Sequence, residues 1–386
     1  MNTAGLSGAP LRFLGLAAGG LGLVAALAAA TAPSPPRPPI TKFGGALAGV
    51  SAVSPADAWA VGATIANTAL ILHWNGTGWT RVTGLGPANE LLNGVSALSA
   101  SDAWAVGTRS GGSDPPQTVV LHWNGSSWTR VASPSPDPGG DSLSGVSALS
   151  PSDAWAVGLA DVFGKNKPLV LHWNGTAWTQ VPSPNLSQPA QLSAVSAASP
   201  SDVWAVGASA TSNPRTLVLH WNGTAWAQVP SPNPGIGHSA LSGVDALSPS
   251  DAWAVGSYDT GRGTRISSKN LVLHWNGASW TQVASPSPGP APTDDFLGGV
   301  SALSPSDAWA VGLSLTRTND SRTVVLHWNG ASWTQVASPS PAGQGGSELL
   351  GVSARSAGDA WAVGLVVRHN LSTLVLHWNG ARWIQS

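Results

Sequence analysis

An all-β fold built from repeats is what this sequence predicts, and three observations carry it. One unit of text recurs seven times, written in full as LSGVDALSPSDAWAVG from Leu241 and LVLHWNGASWTQVASPSP from Leu271. Each copy holds one Asp (Asp57, Asp102, Asp153, Asp202, Asp251, Asp307, Asp359), and successive Asp lie 45, 51, 49, 49, 56 and 52 residues apart. Each also holds one HWNG, starting at His73, His122, His172, His220, His274, His327 and His377. Inside a copy, short apolar runs alternate with Pro, Ser, Asn and Gly clusters and no helical period intervenes. A period of about 40 to 50 residues made of strand-like runs is the signature of one propeller blade per repeat. The expected architecture is a seven-bladed β-propeller of four-stranded antiparallel blades over residues 47–386, behind a signal peptide (1–32) and a Pro-rich leader (33–46).

Four strands per copy follow from the turn signals. Strand A (GVDALS, from Gly243) and strand B (AWAVG, from Ala252) are joined by SPSD, whose Asp oxygen is expected to cap backbone N–H groups. Strand C (LVLHW, from Leu271) and strand D (SWTQV, from Ser279) are joined through Asn276 and Gly277, a strong hairpin signal. Because successive strands reverse direction, the A-to-B and C-to-D turns emerge at one rim and the B-to-C and D-to-A connections at the other. The first rim reads alike in every copy. The B-to-C inserts of the second differ throughout, from ATIANTA to SYDTGRGTRISSKN. Variable loops on a rigid scaffold are where binding concentrates.

Strand A is made of Gly, Ser, Ala and Val, whereas strands C and D hold Leu, His and Trp. Blades crowd at their axis, so the strands are expected to run A, B, C, D from channel to rim. All 21 Trp fall at fixed places, three per copy. Alternation along a strand puts Trp275 and Trp280 on one face of the sheet, able to wedge against the next blade, with Val272, His274 and Asn276 on the other. Ring closure has two expected forms. Either the leader from Pro39 to Phe43 completes the last blade, or the last blade packs on the first without shared strands.

Composition removes several classes of function. With 17 Lys and Arg against 18 Asp and Glu, the chain has no overall field for nucleic acid. The absence of Cys excludes disulfides, thiolate chemistry and Cys-ligated metals. Arg12 precedes an uncharged apolar run from Phe13 to Ala30, and Ala30, Thr31 and Ala32 offer small residues for cleavage. Export to the exterior or the cell surface is expected, with a membrane anchor as the alternative if that segment stays uncleaved. The PSPPRPP run from Pro33 to Pro39 reads as an extended lead-in.

The matched His and Asp sets invite a catalytic or metal reading. Asp251 and His274 fall toward the same rim, where a hydrogen bond between them, or from either to backbone, is expected. Seven equal copies describe capping and bonding between blades, because an active site needs one asymmetric cluster. No spacing here makes a local metal cage, and no metal or cofactor is expected. The Trp set reads as core, where truncating one costs about 3 to 5 kcal/mol. One partly exposed Trp per blade would instead supply repeated sugar-stacking sites. Seven N-x-S/T sequons occur, at Asn75, Asn124, Asn174, Asn185, Asn222, Asn319 and Asn370, and four of them are explained by the Asn-Gly hairpin.

Charge placement marks the variable rim. Ten cations lie in B-to-C inserts: Arg109, Lys165, Lys167, Arg215, Arg262, Arg265, Lys269, Arg317, Arg322 and Arg368. Four anions share those inserts (Asp114, Asp161, Asp259, Asp320), and the D-to-A connections hold Glu90, Asp137, Asp141, Asp294, Asp295 and Glu348. These cations are the candidate binding residues, forming a basic crown for an anionic glycan or an acidic protein patch. The expected function is an exported, non-enzymatic binding or adhesion module whose loops engage an extracellular glycan or protein. Its alternatives are a multivalent lectin with sugar sites between blades and a glycan-active hydrolase. The hydrolase would draw carboxylates from Asp294, Asp295 or Glu348, or build a Ser/His/Asp site on His238.

The unit GVxALSPSDAWAVG with LVLHWNGxxW resembles secreted bacterial Trp-rich propellers of the kelch-like and Asp-box-like groups, including photosystem assembly factors with a WAVG-like second strand and a Gly-x-x-Trp hairpin. Gly76 to Trp79 and Gly277 to Trp280 match the end of that hairpin. Trp74 and Trp275 stand where the group carries an Asp two residues before the Gly. The resemblance implies the propeller fold. Sialidases of the broader group use an Arg cluster with Tyr, Glu and Asp, and no such set is placed on this sequence.

Overall fold

Alternating apolar strands and tight turns give a chain of β-hairpins, and a computed structural model shows how they stack. It describes residues 42–83, 89–111, 114–162, 165–209, 212–261, 267–289, 294–318, 320–341 and 345–386. The expected signal peptide and the leader through residue 41 lie outside the described residues. Repeat 1 forms β1 (Gly45–Ser54), β2 (Asp57–Thr64), β3 (Ala69–Trp74) and β4 (Trp79–Arg81). Repeat 2 forms β5 (Glu90–Ser99), β6 (Asp102–Gly111), β7 (Asp114–Trp123) and β8 (Trp128–Arg130). Repeat 3 forms β9 (Asp141–Ser150), β10 (Asp153–Val162), β11 (Lys165–Trp173) and β12 (Trp178–Gln180). Repeat 4 forms β13 (Ala190–Ser199), β14 (Asp202–Ser209), β15 (Thr216–Trp221) and β16 (Trp226–Gln228). Repeat 5 forms β17 (Ser239–Ser248), β18 (Asp251–Thr260), β19 (Ser267–Trp275) and β20 (Trp280–Gln282). Repeat 6 forms β21 (Asp295–Ser304), β22 (Asp307–Leu315), β23 (Ser321–Trp328) and β24 (Trp333–Gln335). Repeat 7 forms β25 (Gly346–Ser356), β26 (Asp359–Val367), β27 (Leu371–Trp378) and β28 (Trp383–Gln385).

These strands bond into six sheets, which corrects the expectation of seven separate four-stranded blades. Five sheets have four strands, and one has eight. The large sheet joins the strands of repeats 6 and 7 through a single parallel pair, Ser321 with Gly346. Strand β25 is 11 residues long where the other first strands have 10, and Gly346 is its opening residue. Lacking a side chain, Gly346 can lie beside β23, since a Cβ there would sit 2.1 Å from Ser321 Oγ.

Within each repeat the order is A, B, C, D, as the size gradient predicts, and the first strands line the central channel. The reason is steric. A Cβ on Gly243 would stand 3.1 Å from Gly299 Cα of the next repeat. Every first strand also carries a bulge, at Ser242 in β17, where pairing jumps from Leu241 to Gly243. Gly256 faces that bulge, and a Cβ on it would meet Ala240 O at 2.0 Å, which accounts for the Gly that ends each WAVG.

Neighbouring repeats are held by two recurring contacts. Near the axis, the Ala246 N–H donates to Ser196 Oγ of the preceding repeat at 3.0 Å. The same bond recurs around the ring and closes it, Ala52 N–H donating to Ser353 Oγ at 3.1 Å. At one position the Ser is replaced by Asp245, whose Oδ2 accepts from Ala302 N–H at 2.8 Å. Desolvation raises the Asp245 pKa above the ordinary value of 3.8, against the lowering effect of its hydrogen bonds to Ala302, Ser196 and Ala246. Farther out, the fully buried Trp253 of repeat 5 packs at 5.0 Å on Trp328 and edge-on at 5.2 Å on Trp333 of repeat 6. Each such indole removes about 150 to 250 Å² from water, worth roughly 4 to 6 kcal/mol as an upper estimate.

The ring closes by the same packing. Trp361 of repeat 7 lies 4.9 Å from Trp74 and 5.1 Å from Trp79 of repeat 1. Of the two expected closures, the last repeat keeps its own fourth strand, β28, and Phe43 lies beside β27 instead: its N–H donates to Thr373 Oγ1 at 3.1 Å and its carbonyl accepts from Thr373 N–H at 2.9 Å. Pro39 to Thr41 lie outside the described residues.

Candidate functional site at the two ends of the propeller

The uniform end is built from the A-to-B and C-to-D turns. In the latter, the two Trp pair directly across the hairpin, Trp275 with Trp280, so four residues turn the chain. Asn276 Oδ1 accepts from the N–H groups of Ala278 and Ser279 at 3.0 Å, and Gly277 takes φ +88°. Asn is required by that turn, which explains the four sequons that coincide with it. In the A-to-B turn the expected Asp cap is replaced by a Ser cap. Ser248 Oγ accepts from Ser250 N–H at 3.3 Å, while Asp251 Oδ1 bonds His274 Nε2 at 2.9 Å. The His–Asp pair recurs in all seven repeats, at 2.6 to 2.9 Å.

Each of these His rings rests on the buried Trp of its own repeat, as His220 does on Trp204 at 4.2 Å. The same Trp204 meets Trp275 of repeat 5 at 4.8 Å. A half-exposed imidazole and a half-exposed indole therefore stand on one buried indole at the junction. Their polar atoms are partly committed: His220 Nε2 to Asp202, Trp275 Nε1 to Pro249 O at 2.9 Å. What remains is the imidazole Nδ1 and the outer face of the indole. Trp123, Trp173, Trp221, Trp275, Trp328 and Trp378 are half-exposed in this way, and Trp74 is buried at 7% exposure.

At the variable end, B-to-C inserts and D-to-A connections bond to one another, as in Ser110 N–H to Asn89 O at 2.9 Å and Asp259 N–H to His238 O at 2.8 Å. Arg109, Lys165, Lys167, Arg215, Arg317, Arg322 and Arg368 are exposed there. Lys269 is half-buried, 3.7 Å from the fully buried Asp295. Arg262 and Arg265 lie outside the described residues. The anions of the same end behave differently. Glu90, Asp141 and Asp295 are at most 1% exposed, and Glu90 pairs with Arg130. Burial raises the Asp141 pKa. Asp320 is held below the usual range by the Gly345 N–H and the Thr318 hydroxyl, with Arg322 nearby. Of the ten anions placed on this end by sequence, Asp114 alone is classed as exposed.

Among the described residues, clefts open between these loops. One of about 380 Å³ is bordered by Lys165, Lys167 and Asn185. One of about 170 Å³ is bordered by Arg215 and Gln188. The third, about 620 Å³, belongs to repeat 5 and is lined by Tyr258, Lys269, Asn270, Gln282 and Ser285. Sequence reasoning missed the third. Its signals were Tyr258, the single tyrosine, and an Asn where repeats 2, 4, 6 and 7 carry Thr. Among the described residues no group of three His, Asp or Glu is placed to hold a metal ion.

Comparison with known proteins places this geometry. No protein-family model matches the chain, and no curated protein does. A solved structure described as YCF48 bound to D1 peptide is 15% identical over 86% of this chain and 93% of its own, with a TM-score of 0.52. The GH74 xyloglucanase from Xanthomonas campestris is 16% identical over 89% of this chain and 55% of its own, with a TM-score of 0.58. A fungal lectin from Aleuria aurantia, described as a six-bladed propeller, is 11% identical over 88% of this chain and 94% of its own, at 0.47. The fold is a β-propeller. At these identities the likeness reaches no further than the fold. It also corrects the resemblance drawn from sequence: the chain is a Trp-rich propeller of six sheets, with no specific tie to the kelch-like or Asp-box-like groups.

Proposed function

We propose that this protein is a non-catalytic glycan-binding propeller that holds sugars at repeated sites, one at each junction between neighbouring repeats. The observation that carries this reading is the half-exposed Trp and His standing together on one buried indole, in six near-identical copies. A pyranose presents C–H groups to an indole face and hydroxyls at its edge. With Nε2–H donated to Asp, Nδ1 is the ring nitrogen left to bond one such hydroxyl. Sugar lectins and a glycan hydrolase are among the proteins of like fold, which makes the ligand class reasonable without assigning it. Export, read from the first 32 residues, would put these sites outside the cell.

Titration calorimetry against a glycan panel tests the reading. It expects about six equivalent sites of modest affinity, and Trp275→Ala should remove about one of them. A single site, or none, would overturn it.

A second reading is favoured by one observation at the opposite end, where, among the described residues of its inserts and connections, seven exposed cations face one exposed anion. That end suits an acidic glycan or protein surface. Neutralising Arg317 and Arg322 should weaken retention on an acidic polysaccharide, the more so at low salt. Retention that ignores both the substitution and the salt would remove this reading.

A further inference from the structure

We infer that the cleft in repeat 5 is a separate ligand site, distinct from the junctions, and that it takes a neutral saccharide. One position near the start of the third strand sets repeat 5 apart. In repeats 2, 4 and 6 a Thr near the start of the third strand locks the D-to-A connection. Thr118 Oγ1 bonds Ser133 Oγ at 2.8 Å and Pro134 O at 2.9 Å, Thr216 bonds Ser231 and Pro232, and Thr323 bonds Ser338 and Pro339. Repeat 5 carries Asn270 there.

The exchange leaves one buried oxygen unmet and one half-exposed hydroxyl without its usual Thr partner. Asn270 Nδ2 donates to Pro286 O at 2.7 Å, keeping half of the lock. Asn270 Oδ1 is buried without a donor among the described residues. Ser285, the counterpart of Ser133, Ser231 and Ser338, has lost its Thr partner. A buried amide oxygen without a donor costs about 1 to 3 kcal/mol, so a feature of this kind points to a missing partner. Both residues line the cleft of about 620 Å³, which is within the size range of small-molecule sites.

The remaining lining sets the ligand's character. Lys269 is half-buried and its charge is met by Asp295 at 3.7 Å, so the wall asks for no counter-ion. Tyr258 offers a half-buried ring for the apolar face of a pyranose, and Gln282 stands exposed at the mouth. Ligand hydroxyls can meet Ser285 Oγ directly, and the buried Asn270 Oδ1 only by relay through a group beside it. A net charge on the ligand would stand against a neutral wall and lose hydration without compensation.

Because the chain has a single tyrosine, fluorotyrosine incorporated into the full protein gives one fluorine NMR signal, at this cleft. The probes are cellobiose, lactose and N,N′-diacetylchitobiose as neutral sugars, with glucuronate and glucosamine as charged ones. A saturable shift with at least one neutral disaccharide is expected, with none from the charged sugars at the same concentration. Asn270→Thr, which installs the residue of four other repeats, should weaken that binding about ten-fold while raising the melting temperature, and Ser285→Ala should weaken it as well. No saturable shift from any neutral probe, a larger shift from a charged one, or full affinity in Asn270→Thr would overturn the assignment. The ligand class rests on the glycan-binding reading, but the two fail separately. Junction binding is read by stoichiometry and Trp fluorescence, and the cleft by the tyrosine signal.

Discussion

The two ends of this propeller are made from the same strands and obey different rules. At the uniform end six repeats use the same Ser cap, all seven use the same Asx turn and His–Asp pair, and the partners in these bonds come from within the repeat's own hairpins. At the variable end partners come from other connections: Asp320 accepts from Gly345 N–H, and Ser268 N–H donates to Asp294. The first end is determined by short-range chemistry and therefore repeats. The second is determined by which loop meets which, and a single exchange such as Thr to Asn opens a cleft. Function by repetition belongs to one end and function by exception to the other.

The largest effect that would sharpen this contrast lies under the uniform end. Trp361→Ala at the closing junction should cost about 3 to 5 kcal/mol, as much as Trp253→Ala inside the ring, measured by denaturant unfolding. A clearly smaller loss at Trp361 would show that the closing junction is not equivalent to the rest. Asp245→Ser should act in the opposite direction. Burial raises the pKa of this carboxyl, so the folded state keeps its proton at pH values where the unfolded chain has released it. Stability therefore falls as pH rises from the unfolded value through the folded one, and the deficit is complete above both. Asp245→Ser should remove that slope and raise stability at neutral pH, read as a higher Tm. A lower Tm at neutral pH would mean that its bonds to Ala302 and Ser196 outweigh the cost of burial. The smallest effect belongs to the variable end. Arg317→Gln with Arg322→Gln should leave stability within about 0.5 kcal/mol, since both side chains are exposed, and a larger loss would make these cations part of the framework.

Much of this was legible from residues alone. Strand order followed from where small side chains sit, the facing of Trp275 and Trp280 from alternation, and the Asp251–His274 contact from two turns sharing a rim. The joining of repeats 6 and 7 was not legible, because it depends on one glycine approaching one serine. Nor was the fate of the charges. Sequence counts Glu90, Asp141 and Asp295 as loop anions, and only tertiary packing shows them buried while the cations stay exposed. The role of Asp251 was misread for a related reason: a serine two residues before the turn's end takes the capping task, leaving the carboxylate for the imidazole. The cleft in repeat 5 was written in the text as Asn270, but its meaning needed the hydroxyl lock of the other repeats for comparison.

The junction packing has a direction. Each buried indole is covered by the pair belonging to the following repeat, never by the preceding one, so every repeat is socket on one side and plug on the other. An array that failed to close would carry an uncovered Trp361 at one end and a vacant Trp74 and Trp79 at the other, complementary surfaces on one molecule. Such head-to-tail surfaces assemble into open filaments when they meet between molecules. Closing the circle occupies both and removes that route to aggregation.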